Sequence, residues 1–271
     1  MSLQTTGIHH ITAFARDPQA NVDFYAGILG LRLVKRTINF DAPEVYHLYF
    51  GDKAGSPGSI ITFFPWPNSR KGRVGGGQVG ITAYAVPIGA LSFWENRLTS
   101  FGVSVMKATR FSESYIQFSD HEGLRLEIVE RAEGANSEWS FGGVPTDKAI
   151  KGFGGAVLYS TDSVKTMQAL EGILGMKKIG EDQGYARFQS SGELGNLIDV
   201  PLTNMEWGNG GAGTIHHIAW RAKDSDEHMQ WQSEVLEFGY QPTEIVDRQY
   251  FDAIYFREAG GILFEIATDP P

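Results

Sequence analysis

The sequence contains no cysteine. Disulfides, thiolate-bound zinc, iron–sulfur clusters and cysteine nucleophiles are excluded together, so any metal has to be held by imidazole and carboxylate. Excess positive charge is lacking too: 23 Lys and Arg stand against 32 Asp and Glu, a net charge of −9. That field repels nucleic acid and anionic membrane surfaces, and neither is expected as a partner. No apolar run reaches the roughly 18 residues of a spanning helix. The start "MSLQTTGIHH" has neither the basic nor the apolar segment of a secretion signal, so a cytoplasmic protein is expected. G-x-S-x-G elbows and P-loops are missing as well, which leaves hydrolase and kinase readings without support. The remaining composition, 42% hydrophobic and 20% charged over 271 residues, is that of a globular protein with room for one large domain or two ordinary ones.

What is present is repetition. "GIHHITAFARD" (Gly7 to Asp17) returns as "TIHHIAWRAKD" (Thr214 to Asp224), and "DFYAGILGLRLVKR" (Asp23 to Arg36) as "QALEGILGMKKIGE" (Gln168 to Glu181). "SYIQFSDHEGLRLEIVE" (Ser114 to Glu130) returns as "DAIYFREAGGILFEIAT" (Asp252 to Thr268). Each half also repeats internally as strand, helix and three strands. The first unit reads as Ile8 to Ala15, a helix over Gln19 to Leu29, then Leu31 to Phe40, Val45 to Phe50 and Ser59 to Trp66; further units start near Val79, Gly152 and Thr214. Helices over Leu91 to Ser100 and Asp226 to Phe238 each run into Phe-Gly, a C-terminal stop. The expected class is α+β, with four βαβββ modules in two tandem halves, 1–133 and 152–271, joined by a polar linker over 134–151. A second glycine-rich linker covers Asn68 to Gln78.

Strand parity points to a site. Side chains alternate between faces, so His9 shares a face with Ile11, and His216 with Ile218, toward the helices. His10 and His217 then point to the concave side, each followed on its own face by a small residue, Thr12 or Ala219. In "GGILFEIATD", Glu265 is a carboxylate amid an apolar strand on that same side. An ionised carboxylate buried there needs a cation or strong donors. Two imidazoles and a carboxylate with positions left open form the triad that suits non-haem Fe(II) and O2; Mn(II) or Zn(II) also fits the donors. The bland reading, a structural His-His and a Glu paired with an Arg, is met by an internal control. Glu127 in "LRLEIVE" and Asp199 in "NLIDVP" have no His-His strands beside them and read as structural. One metal at His10, His217 and Glu265 requires units one and four to face each other, leaving units two and three to pair without metal.

The four-module layout resembles the vicinal oxygen chelate superfamily of glyoxalases, bleomycin-resistance proteins and extradiol dioxygenases over nearly the whole chain. Several stretches are similar to its ring-cleaving hydroquinone and chlorohydroquinone dioxygenases: "HHIT" (His9 to Thr12), "LVKRTINFD" (Leu33 to Asp41), "YHLYFGD" (Tyr46 to Asp52), "GSPGSIITFFP" (Gly55 to Pro65), "HHIAW" (His216 to Trp220) and "DRQYFDAIYFREAGGILFEIATD" (Asp247 to Asp269). The resemblance implies metal ligation by His10, His217 and Glu265, and supporting roles for His9, Thr12, Arg248 and Tyr255. It implies a dihydroxyaromatic substrate bound to Fe(II) through a hydroxyl oxygen, with O2 beside it and ring opening next to a hydroxylated carbon. Arg248 would steady an anionic oxygen, and Tyr255 or His9 would relay a proton. The plain alternatives are that Arg248 pairs with Asp247 or Asp252 and that Tyr255 is core. His47 is a pocket candidate with a core histidine as its ordinary reading, and His216 reads as packing. Chains of that family continue beyond the Glu-bearing strand, whereas this one ends at "ATDPP", so a tail that would cover the site is expected to be missing. The expected partners are a small aromatic substrate and O2, with a homo-oligomer left open. A glyoxalase-type isomerase would need a Glu on the last strand of unit one, and "SIITFFPW" has none. A non-catalytic small-molecule binder would not need the triad.

Overall fold

A computed structural model describes residues 3–269; the closing Pro270 and Pro271 of "ATDPP" lie outside the described residues. Four modules follow one another. The first holds β1 (Ile8–Ala15), α1 (Pro18–Val22) running into a π-helical turn (Asp23–Ile28), β2 (Arg32–Ile38), β3 (Tyr46–Gly51) and β4 (Ile60–Pro65). The second holds β5 (Gln78–Val86), α2 (Leu91–Ser100), β6 (Met106–Arg110), β7 (Glu113–Ser119) and β8 (Arg125–Glu130). The third holds β9 (Gly152–Tyr159), α3 (Ser163–Gly172), β10 (Lys177–Asp182), β11 (Tyr185–Gln189) and β12 (Leu197–Pro201). The fourth holds β13 (Ile215–Ala222), α4 (Ser225–Glu237), β14 (Val246–Asp247), β15 (Asp252–Arg257) and β16 (Leu263–Thr268).

The helices start where short acidic side chains can accept orphan backbone N–H groups. Asp17, Asp162 and Asp224 cap α1, α3 and α4. Helix α2 has no such residue, and Glu130 on β8 accepts the Leu91 N–H instead at 3.0 Å. The first helix differs from the single α-helix expected. Its second half is a π turn in which Leu29 N–H bonds back to Phe24 O at 2.9 Å, five residues earlier. Phe24 and Tyr25 are both buried there, and the Tyr25 hydroxyl donates to Asp120 at 3.0 Å.

Sequence halves and sheets do not coincide. One sheet runs β14-β15-β16-β13-β1-β4-β3-β2, joining modules one and four; the other runs β10-β11-β12-β9-β5-β8-β7-β6, joining two and three. This is the pairing the single-metal argument required. Antiparallel β1–β13 and β5–β9 pairs form the two centres, and the helices pack apolar faces on the convex sides, as where Trp231 and Val235 of α4 join the core of Ile218, Phe264 and Ile266. The glycine-rich stretch 68–78 is a packed strap against 205–212. A Cβ at Gly75 or Gly76 would sit 2.7 or 2.6 Å from the backbone oxygens of Glu206 or Met205, so the composition there reflects close backbone approach. Among the described residues no helix is long and apolar enough to cross a membrane.

Candidate metal centre and its cavity

The centre of the β1–β13 ladder carries two bulges. Ile8 pairs with Trp220 and His10 with Ala219, which leaves His9 as the extra residue; Thr12 pairs with His217 and Ala13 with Ile215, which leaves His216 as the extra residue. A bulge breaks the alternation that parity relies on. His9 and His216 therefore do not turn to the helices as expected. Each lies beside its neighbour, His9 Nδ1 at 2.9 Å from His10 Nδ1 and His216 Nδ1 at 2.8 Å from His217 Nδ1. With Nδ1 so engaged, the Nε2 atoms of His10 and His217 are free to face the concave side.

There they meet Glu265. Strand β16 runs parallel to β13 with Glu265 opposite Ala219. Glu265 Oε2 lies 2.9 Å from His217 Nε2 and 3.3 Å from His10 Nε2, and the two Nε2 atoms are 3.2 Å apart. Neither carboxylate oxygen has a hydrogen-bond partner of ordinary geometry, although Glu265 is 0% exposed. Such an orphaned carboxylate is costly unless a cation neutralises it. The three separations bracket the roughly 3.0 Å between neighbouring donors of an octahedral ion with ~2.1 Å bonds. Among the described residues these three form a cluster of metal-ligating type. Burial alone would raise the Glu265 carboxyl, but the His10 and His217 imidazoles hold it well below the usual carboxylate range. Burial lowers His217, burial with the neighbouring imidazole lowers His9 to about 3, and His216 is lowered in the same direction, so these rings are neutral at pH 7, as metal ligation and its support demand.

The triad opens on a cavity of about 320 Å³. An engineered cavity of ~150 Å³ holds benzene, so one substituted ring fits here. Phe14, Phe64, Trp66 and Phe251 supply apolar walls, and Phe251 leans over His10 with ring centroids 5.2 Å apart. Thr12, Arg248 and Tyr255 line it; His9 sits behind His10, outside the lining and 3% exposed, in contact with the His10 ring. His216, expected to pack, faces the cavity between Phe14 and Phe64 at 5.1 and 5.9 Å. Arg248 pairs with Asp41 of the first module at 3.4 Å across the mouth, and its Nε donates to the Tyr255 hydroxyl at 3.1 Å. Tyr255 sits opposite Glu265 in the β15–β16 ladder, and burial followed by that carboxylate pushes its phenol up.

His47 is a wall residue, not core. Its Nε2 lies 2.8 Å from Thr62 Oγ1, and its Nδ1 2.9 Å from the Tyr49 hydroxyl. Burial, then the neighbouring His10 and His217 rings, which resist a third positive charge, lower it to about 2. Sequence reasoning missed Tyr49, although it shares a strand face with His47 two residues away, and that spacing could have found it. It also missed Phe251 and Asp41, which come from loops and carry no periodic signal.

The chain has relatives that place it in a family. The family model of the Glyoxalase/Bleomycin resistance protein/Dioxygenase superfamily matches residues 7–128 and 152–266. A Bacillus subtilis (strain 168) protein with the provisional name ring-cleaving dioxygenase MhqO is 56% identical over 271 residues, covering 100% of this chain and 87% of its own. The chlorohydroquinone/hydroquinone 1,2-dioxygenase of Sphingobium indicum is 34% identical over 275 residues, covering 97% and 85%. Glyoxalase I from Zea mays, 13% identical, shares the fold with a TM-score of 0.72 over 97% of this chain and 92% of its own. By its module order, its interlocked sheets and these matches, the chain belongs to the glyoxalase/bleomycin resistance protein/dioxygenase superfamily, on the branch whose members are named ring-cleaving dioxygenases.

Proposed function

We propose that this protein is a non-haem Fe(II)-dependent ring-cleaving dioxygenase of extradiol type, acting on a hydroquinone or catechol-like dihydroxyaromatic. The observation that carries it is Glu265, a fully buried carboxylate with no guanidinium or ammonium beside it, converging with two imidazole Nε2 atoms at 2.9 and 3.3 Å. His10, His217 and Glu265 would hold the metal. When bound, Fe(II) supplies Lewis acidity toward a substrate hydroxyl and one-electron chemistry toward O2. The chain's own residues do the rest. Phe14, Phe64, Trp66 and Phe251 clamp the ring and exclude water; the Arg248 guanidinium, fixed by Asp41 and Tyr255, stands where an anionic oxygen is to be stabilised. The Tyr255 hydroxyl holds a proton for transfer, and so does His216, whose neutral ring faces the cavity. His9 acts through His10 by fixing its ring.

The isomerase reading is disfavoured at one position. Thr62 on β4 pairs with Thr12 on β1, two residues beyond His10, as Glu265 pairs with Ala219, two residues beyond His217. The slot for a second carboxylate thus holds a hydroxyl. The test is anaerobic reconstitution with Fe(II), then O2 uptake on hydroquinone and on catechol. Uptake with one O2 consumed per ring opened is expected; metal binding with no uptake on any dihydroxyaromatic would sink the proposal.

A further inference from the structure

The chain of hydrogen bonds on the β3–β4 wall has no part in the reading above. Tyr49 hydroxyl meets His47 Nδ1 at 2.9 Å, His47 Nε2 meets Thr62 Oγ1 at 2.8 Å, and Thr62 Oγ1 meets Thr12 Oγ1 at 2.8 Å. Tyr49, His47 and Thr12 line the cavity, while Thr62 is 1% exposed. We propose that Tyr49, His47, Thr62 and Thr12 form a proton relay along the cavity wall, with His47 as its tautomer-switching centre. It rests on the dioxygenase reading, since it concerns what happens to the protons of a dihydroxyaromatic.

Proton counting makes the chain directional. Each hydroxyl owns one proton and a neutral imidazole owns one N–H. When each inner group accepts one bond and donates the next, as a relay requires, the four groups joined by three bonds can be filled in two ways. In one, Tyr49 donates to Nδ1, Nε2–H donates to Thr62, Thr62 donates to Thr12, and Thr12 has a proton free for the cavity. In the other every bond is reversed and Tyr49 holds the free proton. An imidazolium would donate at both nitrogens and break this order; burial and the His10 and His217 rings keep His47 neutral.

The proposed reaction needs such a device. A dihydroxyaromatic and O2 become a ring-opened acid without losing hydrogen, so a proton that leaves a substrate hydroxyl on binding has to be kept nearby and returned. In one transfer the substrate O–H breaks as its proton bonds to Tyr49 Oη. The Tyr49 proton moves to His47 Nδ1, the Nε2 proton to Thr62, the Thr62 proton to Thr12, and the Thr12 proton to a product oxygen. Each O–H or N–H bond broken is matched by one formed, no electrons change hands, and all four groups end neutral. A merely structural wall would satisfy the same polar atoms without moving protons, so the test has to see protons move.

Thr62→Val keeps the shape and breaks the middle of the chain; Thr62→Ser keeps the hydroxyl. With Fe(II)-loaded protein and hydroquinone, Thr62→Val is expected to lower kcat about 100-fold with KM within about threefold, the range of a lost general acid–base step. The bowed rate dependence on D2O fraction that marks several protons in flight is expected to become linear, and Thr62→Ser to restore both rate and curvature. Unchanged kcat and curvature in Thr62→Val would overturn the relay. If the wild-type protein takes up no O2 with any dihydroxyaromatic, the functional reading fails, and the relay is judged on 15N-histidine NMR of the metal-free protein. Thr62→Val and Tyr49→Phe are each expected to shift the tautomer populations of His47; populations unmoved by both would overturn it.

Discussion

At the centre of one sheet β1 and β13 lie side by side, and at the centre of the other β5 and β9 do, with bulges at matching places. The bulge residues are His9 and His216 in the first pair and Gly80 and Gly154 in the second. At Gly80 a Cβ would come within 2.5 Å of the Tyr159 ring, so no imidazole fits there. The positions of His10 and His217 are taken by Ile81 and Gly155. Carboxylates run the other way: the first sheet has only Glu265 and Thr62 in the two slots, whereas the second has Asp199 and Glu127, opposite Val157 and Ala83. Those two carboxylates are neutralised from within. Arg110 binds Glu127 with both terminal nitrogens at 3.2 and 2.8 Å and Asp199 through Nε at 2.6 Å; Arg187 grips Asp199 at 2.7 and 2.9 Å. One scaffold thus surrounds buried carboxylates in two ways: with internal guanidiniums, or with paired imidazoles of metal-ligating type.

The largest test breaks the first centre. His217→Ala or Glu265→Gln is expected to reduce Fe(II) affinity at least about 10³-fold, beyond the 10–100-fold typical of outer partners, while Glu127→Gln leaves metal content unchanged. Metal analysis after dialysis checks it. Equal metal loss in Glu127→Gln would mean that the second sheet also binds.

The next breaks the second centre. Arg187→Met leaves buried Asp199 with one guanidinium partner and half-buried Glu113 with one. Removing one member of a buried ion pair costs about 3–5 kcal/mol, to be read in urea unfolding of the metal-free protein. Glu265→Gln, which gives up imidazole neighbours and no guanidinium, is expected to cost less. A larger loss for Glu265→Gln than for Arg187→Met would reverse the assignment of which centre is internally balanced.

These contrasts mark how far the sequence could be read. The repeats, the apolar alternation and the coincidence of two His-His strands with one Glu were enough to pair modules one and four and to bring His10, His217 and Glu265 together. The same reading treated Glu127 and Asp199 as structural, and both lie in the ion cluster. Beyond that, three physical facts were hidden. Bulges add a residue without a local signature, so parity sent His9 and His216 to the wrong face. The guanidiniums that neutralise Glu127 and Asp199 come from β6 and β11, at no fixed spacing from their partners. The mouth is closed by loops of different modules, Asp41 and Arg248, whose meeting depends on sheet curl and on no local pattern.

A smaller effect sharpens the role of the bulge histidines. If His9 and His216 fix the ligand rings through Nδ1, His9→Phe and His216→Phe should each weaken Fe(II) binding about 10–100-fold without unfolding the chain. His216→Phe should also slow turnover beyond what saturating metal repairs, since that ring faces the cavity, whereas excess metal should restore most of the activity of His9→Phe. Titration with metal and assay at saturation separate the two. Identical, fully repairable defects would remove the distinction between the ring in the cavity and the ring behind the ligand.

The smallest effect is on acid stability, and its sign follows from the imidazoles. His9 and His47 are held at about 3 and about 2 in the folded protein, against ~6.5 in an unfolded chain. Between those values the unfolded state binds more protons, so the stability these groups contribute is fully present above about pH 6.5 and is lost as pH falls toward their folded values. Each buried neutral histidine adds a slope of at most about 1.4 kcal/mol per pH unit in that window. The metal-free protein is therefore expected to lose urea resistance steadily from pH 6.5 to 4.5. His47→Gln, remote in sequence from the triad, should flatten that decline, while Arg187→Met should lower the whole curve without changing its slope. A decline just as steep in His47→Gln would show that this ring is not held neutral by the fold.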